Sequence, residues 1–354
     1  MSSPSSPPAR PVAFYVHHHG RGHANRTRLL TERWATDAPL HVFTSAPESF
    51  RDWTASKLHI LPPDVSPDRD PTRDLLQDQV LHYAPVDLPG LQQRMAIIAD
   101  WIAEHRPALF IVDLSVEIAL FVRLCGCRTA LVRLHGHRDD PAHTAAFRLA
   151  DHLLAPFPPQ LEDAHTPNWV REKTTYLGTF SRYDHRKETK AQCRQQLRLS
   201  AVQPVVTVVN GVGGGAQVQG KWWEVAHATP GWLFLLVGRV GVFHDPTPPN
   251  LRYIGFVSDT YLYLKAADVV MGSGGTNTMM EVGAARVPFL SMPEERPFGE
   301  QRCKMEALQR LGLTRIVPED IKPEEWAGLL EEARNMDVGG WDGLPALSER
   351  FALG

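Results

Sequence analysis

Val269-Val270-Met271-Gly272-Ser273-Gly274-Gly275-Thr276-Asn277 is an apolar run of strand length that passes directly into a glycine-rich helix start. The free N–H groups at the head of a helix and the positive end of its dipole attract an anion, and glycines let a diphosphate come close. Ser273, Thr276 and Thr278 add hydroxyl donors, and Asn277 sits in the same turn. Glu281 follows further into the helix, where a carboxylate suits ribose hydroxyls better than phosphate. A second turn, Asn210-Gly211-Val212-Gly213-Gly214-Gly215, follows the apolar run Val205 to Val209 and makes Gly213 and Gly214 candidates for the same ligand. Either glycine cluster alone is equally a plain turn; two at strand ends reinforce each other.

Around this stretch, short apolar runs alternate with amphipathic segments. Strands are expected at Val205 to Val209, Leu233 to Val237, Leu251 to Ile254, Val269 to Met271 and Pro288 to Ser291. Helices are expected at Lys187 to Leu199, Trp222 to Ala228, Asp259 to Ala266, Thr278 to Ala285 and Glu300 to Leu311. The first half repeats the alternation, with strands at Val12 to Val16, Leu40 to Thr44, Leu58 to Leu61, Ala108 to Val112, Ala130 to Leu134 and Thr175 to Leu177. Its helices are expected after Arg26 and at Leu91 to His105 and Val116 to Leu124. Strands alternating with helices imply parallel, doubly wound sheets, and 354 residues suffice for two such domains. The expected division is a disordered Ser- and Pro-rich leader over 1–11, a first Rossmann-like domain over 12–178, a second over 179–335 and a C-terminal helix over 336–354. Trp341, Leu344, Leu347 and Phe351 give that helix an apolar face with which to cross back to the first domain. The Pro- and Asp-rich stretch from Pro62 to Pro89 is a long loop of the kind expected to cover a site.

The loop after the first strand reads His17-His18-His19-Gly20-Arg21-Gly22-His23-Ala24-Asn25-Arg26. A histidine at the opening of the following helix can serve as a general base, and a carboxylate partner would fix its tautomer. Asp113, at the end of the strand Ala108 to Val112, is the natural partner for His23. Read blandly, His23 lines or caps the helix and Asp113 caps the next one. The histidines of this loop, with His135 and His137 after the strand Ala130 to Leu134, invite a zinc site. Alternation sends neighbouring histidines to opposite faces and no ordered Cys or carboxylate spacing accompanies them, so structure or acceptor contact is the preferred reading, with no metal.

Lys and Arg number 37 against 40 Asp and Glu, a net charge of −3, with no basic stripe for a nucleic acid. The four cysteines lack disulfide or zinc-ribbon spacing and read as reduced thiols. No stretch has the length and apolarity of a membrane span or signal peptide, so a soluble, cytoplasmic chain is expected.

On these residues, the second half resembles the donor domain of the GT-B glycosyltransferases, closest to family 28. The likeness runs from about Val205 to Leu311, through Gly255-Phe256-Val257-Ser258-Asp259, the stretch from Ala266 to Pro293 and the Glu300-Gln301 pair. The resemblance implies that backbone at Phe256 and Val257 reads the base, that Gly274, Gly275 and Thr276 seat the diphosphate and that Glu281 holds the ribose. Glu300-Gln301 stands where the family carries a Gln-Gln pair on the donor sugar. The first half resembles related glycosyltransferases through G-x-G-H-x-x-R at Gly20 to Arg26 and the strand-end Asp113. This implies His23 as catalytic base and Asp113 as its support, with Gly20, Arg21, Gly22, Arg26, His135 and His137 on the acceptor side.

The function so implied is inverting, metal-independent transfer of a hexosyl group from a UDP-sugar, or a dTDP-sugar, across a cleft between the two Rossmann-like domains. The acceptor is a hydroxyl of a small molecule, glycan or lipid-linked glycan, and no cofactor is expected. A GT-B nucleotide-sugar hydrolase and a non-catalytic nucleotide-sugar-binding subunit are the alternatives.

Overall fold

The computed structural model describes residues 9–18, 21–34, 36–51, 53, 57–68, 70, 80–210, 219–238 and 246–348. By contacts the chain divides into two units. The first takes the chain up to Phe157, residues 165–178 and the stretch from Leu347; the second takes 158–164 and 179–346.

In the first unit the order is β1 (Val12–Val16), α1 (Arg21–Glu32), β2 (Leu40–Thr44), β3 (Lys57–Ile60), α2 (Pro89–His105), β4 (Leu109–Asp113), α3 (Val116–Leu124), β5 (Thr129–Val132), α4 (Pro141–Leu149), β6 (His152–Ala155), α5 (Asn168–Lys173) and β7 (Thr174–Tyr176). The seven strands are parallel, in the order β3-β2-β1-β4-β5-β6-β7. Helices cover both faces of such a sheet, which is why β1 and β4 are apolar without alternation and buried at every position. Strand order reverses between β1 and β4, whose register sets Val16 opposite Asp113, so the loop after β1 and the end of β4 share one crevice. Below it, Phe43, Ile98, Trp101 and Phe110 form the core.

The second unit repeats the plan with α6 (Lys190–Gln196), β8 (Val205–Asn210), α7 (Gln219–Ala228), β9 (Leu233–Gly238), β10 (Leu251–Gly255), α8 (Tyr261–Ala266), β11 (Val269–Gly272), α9 (Thr276–Ala285), β12 (Phe289–Ser291), α10 (Glu300–Arg310), β13 (Arg315–Ile316) and α11 (Trp326–Arg334). Six parallel strands run β10-β9-β8-β11-β12-β13, with the reversal between β8 and β11. Asp268, at the head of β11, fixes that pair: it accepts from the Val205 N–H at 2.7 Å and from Arg194 at 2.6 Å, and pairs with Lys190.

Several sequence expectations shift. Order begins before Val12, because Arg10 donates to the carbonyls of Arg106 and Pro107, both at 2.7 Å, and the Pro11 carbonyl accepts from Ala108. The stretch Asp139 to Ala155, without an expected element beyond Leu134, folds as α4 and β6: Asp140 caps the helix by accepting from the His143 N–H at 3.1 Å, and Pro141 opens it. Of the C-terminal helix expected over 336–354, the described residues show a short turn over Gly339–Gly343 that belongs to the second unit, and residues 349–354 lie outside the described residues. Trp341 is buried there against α9 at Gly283, where a Cβ would meet the indole at 2.7 Å. Phe351 and most of the leader lie outside the described residues.

Candidate functional site

At the first crevice, α1 opens directly after the β1 loop and carries His23 to Asp113. His23 Nδ1 lies 3.0 Å from Asp113 Oδ2, and Arg26, one turn along, donates to Asp113 Oδ1 at 2.6 Å. Asp113 and Arg26 are buried, while His23 is half-buried. Burial pushes the Asp113 carboxyl up, but Arg26 and His23 beside it outweigh this and hold it at about 2. Arg26 also lies 3.0 Å from His23 Nδ1. The ionised Asp113 carboxylate has no hydrogen to give, so the tautomer with hydrogen on Nδ1 donates to it and leaves Nε2 as the basic atom. Arg26, read from the sequence as an acceptor-side residue, is instead the buried counter-charge of Asp113. The next residue, Leu114, has φ 72°, a left-handed conformation costly for a leucine and of the kind stored at functional sites.

A cavity of about 430 Å³ adjoins this pair. His17 on its wall stands 5.7 Å from His23, ring centroid to centroid, and Leu114 and Ser115, which follow Asp113, also line it. His135 is not on a surface an acceptor can reach: it is 1% exposed and packs on Phe157 at 3.9 Å. His137 is exposed and stacks near His165 at 4.1 Å. His82, Asp140 and His143 gather ligand-type atoms within 4.8 Å of one another, a cluster the sequence hid by distributing it over two distant segments. Arg138 stands 2.9 Å from His143 Nε2, a cation where a metal would need a lone pair.

In the second unit, β11 delivers the chain into the glycine turn as expected, and α9 begins at Thr276, two residues before the anticipated Thr278. Gly274 has φ 86°, and a Cβ there would meet Met305 Cγ at 2.8 Å, so both conformation and packing require glycine. Gly275 precedes α9 as its N-cap; Ser273, Gly275, Thr276, Asn277 and Thr278 are all half-buried around the helix start. Beneath the turn lies Lys304 of α10, fully buried, whose Nζ donates to Thr276 Oγ1 at 2.7 Å, the Gly274 carbonyl at 3.3 Å and Glu300 at 3.1 Å. Sequence reasoning missed this ammonium, for a lysine within an amphipathic helix reads as solvated.

Glu281 is buried and already held: Arg182 Nε donates to it at 2.9 Å and Thr260 Oγ1 at 3.1 Å. Burial pushes its carboxyl up, against the pull of Arg182. Arg182 and Tyr183, from the presumed linker, were missed; the Tyr183 hydroxyl meets Thr260 at 2.9 Å. Phe256 is 66% exposed after the left-handed Gly255, and Val257 is half-buried. The Glu300-Gln301 pair opens α10. Glu300 pairs with Lys304, and Gln301 is buried, its Oε1 accepting from the Glu294 N–H at 2.8 Å. Gly20, the Arg21 side chain, Gly213 and Gly214 lie outside the described residues, whereas Gly22 falls within α1.

Solved structures share this fold. The glycosyltransferase of kitacinnamycin superposes with a TM-score of 0.70 at 17% identity, covering 95% of this chain and 94% of that one. Acinetobacter baumannii MurG gives 0.63 at 13% identity, covering 94% of each. The chain therefore has the GT-B fold, two Rossmann-like α/β domains. Within it, residues 236–336 match the glycosyltransferase family 28 C-terminal domain, the second domain's resemblance read from the sequence. An uncharacterized glycosyltransferase of Methanosarcina acetivorans is 33% identical over 125 residues, 34% of this chain and 32% of that protein. The UDP-N-acetylglucosamine–N-acetylmuramyl-(pentapeptide) pyrophosphoryl-undecaprenol N-acetylglucosamine transferase of Clavibacter michiganensis is 25% identical over 144 residues, 40% of this chain and 39% of that protein. The matched stretch thus spans about a third of the curated relatives' length.

Proposed function

We propose that this chain is a glycosyltransferase that moves a hexosyl group from a UDP-sugar, or a dTDP-sugar, to an acceptor hydroxyl with inversion. The observation that carries the reading is that one chain holds two strand-end sites, a His23–Asp113–Arg26 cluster in its first domain and a glycine turn over buried Lys304 in its second. His23 Nε2 takes the acceptor proton as its oxygen bonds to the anomeric carbon; the bond from that carbon to the diphosphate oxygen breaks, and the nucleoside diphosphate leaves. Asp113, held ionised, stabilises the imidazolium. The N–H groups opening α9, with Lys304 behind them, receive the charge that develops on the leaving group. A single displacement inverts the anomeric centre.

The family 28 domain match and the name of the Clavibacter relative support a UDP-sugar donor. No helix among the described residues is long and apolar enough to cross a membrane, in keeping with action in the cytoplasm, where nucleotide sugars are at hand. Isothermal titration with UDP, dTDP, GDP and ADP tests the donor site. Selective uridine or thymidine diphosphate binding, weakened by Glu281→Ala and kept by His23→Ala, is expected; no binding of any of the four overturns the reading.

A further inference from the structure

The cavity beside His23 carries its own chemical statement. Its volume, about 430 Å³, falls among small-molecule sites and far exceeds what a single attacking water needs. Val65, Leu91, Met95, Leu114 and Ile118 supply apolar wall between its aromatic and imidazole rings.

Its charges are committed or negative. Arg94 is the only Lys or Arg among the described lining residues, and it is 1% exposed. A guanidinium has five N–H donors, and each has an acceptor here: Nε to the Pro62 carbonyl at 3.1 Å, Nη1 to the Tyr15 hydroxyl and Asp64, both at 2.6 Å, and Nη2 to Ser45 at 2.6 Å and Pro62 at 2.7 Å. None is left for a phosphate. Asp64 and Glu117 are carboxylates on the wall, and Glu117 accepts from the N–H groups of His82 at 2.8 Å and Tyr83 at 3.0 Å and from Ser115 at 3.1 Å. With its one guanidinium fully engaged and two carboxylates on the wall, such a lining disfavours an anion, and the apolar wall between its imidazoles leaves much of a sugar chain's hydroxyl surface unmatched once water is removed.

We propose that this cavity receives the acceptor, and that the acceptor is a compact, uncharged and largely apolar alcohol or phenol, not a diphosphate-bearing lipid or a glycan. The inference rests on His23 being the base, since the cavity's place against His17 and Leu114 is what sets the acceptor hydroxyl at the imidazole.

The test is equilibrium binding of a panel of uncharged bicyclic phenols and alcohols, umbelliferone among them, with farnesyl diphosphate and chitotetraose as rivals. Val65, 37% exposed at the cavity, is replaced in Val65→Trp, which fills the space; Met95→Phe is the second filling variant should the first misfold. The expected result is phenol binding to the wild-type chain, weakened about tenfold or more by filling, with UDP binding unchanged. Phenols retained by His23→Ala, which loses transfer, would join the cavity to the base. Farnesyl diphosphate or chitotetraose displacing the phenols, or binding in a manner the filling variants weaken, overturns the proposal, as does a panel that does not bind or is indifferent to filling. Failure of the donor reading shows separately, as absent UDP binding.

Discussion

Lys304 Nζ lies 2.7 Å from Thr276 Oγ1, which puts a fully buried ammonium directly under the first residue of the helix whose N–H groups face the proposed diphosphate. Its counter-ion, Glu300, is one turn earlier on the same helix. Removing one partner of a buried pair costs more than the pair is worth, because the other is left unmatched. Lys304→Met should therefore lower stability by about 3 kcal/mol and weaken UDP by about tenfold or more. Lys304→Met with Glu300→Gln should recover most of the stability and none of the affinity. Thermal melts and titration separate the two; affinity restored in the double variant would reduce Lys304 to a packing role.

Asp113 should matter to rate and not to donor binding. Asp113→Asn keeps the shape but cannot stabilise the imidazolium, so kcat should fall by about a hundredfold or more with UDP affinity unchanged. Its folded-state value, lowered from 3.8 to about 2, means its stabilisation is fully present above pH 3.8 and lost as pH falls through about 2. An acid limb in the rate profile at higher pH thus belongs to another group. An unchanged kcat in Asp113→Asn would contradict the arrangement.

Glu281 gives the opposite sign. Its carboxyl is raised above the ordinary 4.5 by burial, so the folded state is favoured below that pH and loses stability as pH rises through the folded value. Glu281→Gln should hold or raise the melting temperature at neutral pH, while UDP binding weakens by about tenfold because one neutral amide oxygen replaces a two-oxygen carboxylate facing the ribose hydroxyls. Unchanged UDP affinity would place the ribose elsewhere.

The strand-end glycine turn, the His23–Asp113 pair and the two parallel sheets were legible because each follows from local pattern: apolar runs, glycine at a helix start, a carboxylate closing a strand. What escaped was set by distance. Arg182 reaches Glu281 across 99 residues and Lys304 reaches Thr276 across 28, and neither side chain differs in sequence from a solvated one. Arg94 likewise reads as a surface arginine on α2, yet closes the floor of the cavity. The segment holding α4 was missed because Asp139-Asp140-Pro141 reads as a turn, while the same residues cap and open a helix. Gln301 keeps its place in the motif, and its Oε1 also accepts from the Glu294 N–H, a contact no local pattern announces.

The first domain should be weakened by mild acid. His41 on β2 is 3% exposed, its Nδ1 2.8 Å from His59 Nε2, and its ring lies 4.8 Å from that of Trp101. Burial, with His59, Lys57 and His105 nearby, pushes it down from 6.5 to about 4. Between those values the unfolded chain binds a proton that the folded chain refuses, so stability is full above pH 6.5 and lost as pH falls through about 4. The loss amounts to about 2–3 kcal/mol for this group. His41→Leu removes the titration and keeps an apolar filler of similar size, so its unfolding free energy should vary less with pH over that window, even if it is lower at neutral pH. Urea melts at several pH values read the slope, and an equally steep slope in His41→Leu would assign the acid sensitivity to another group.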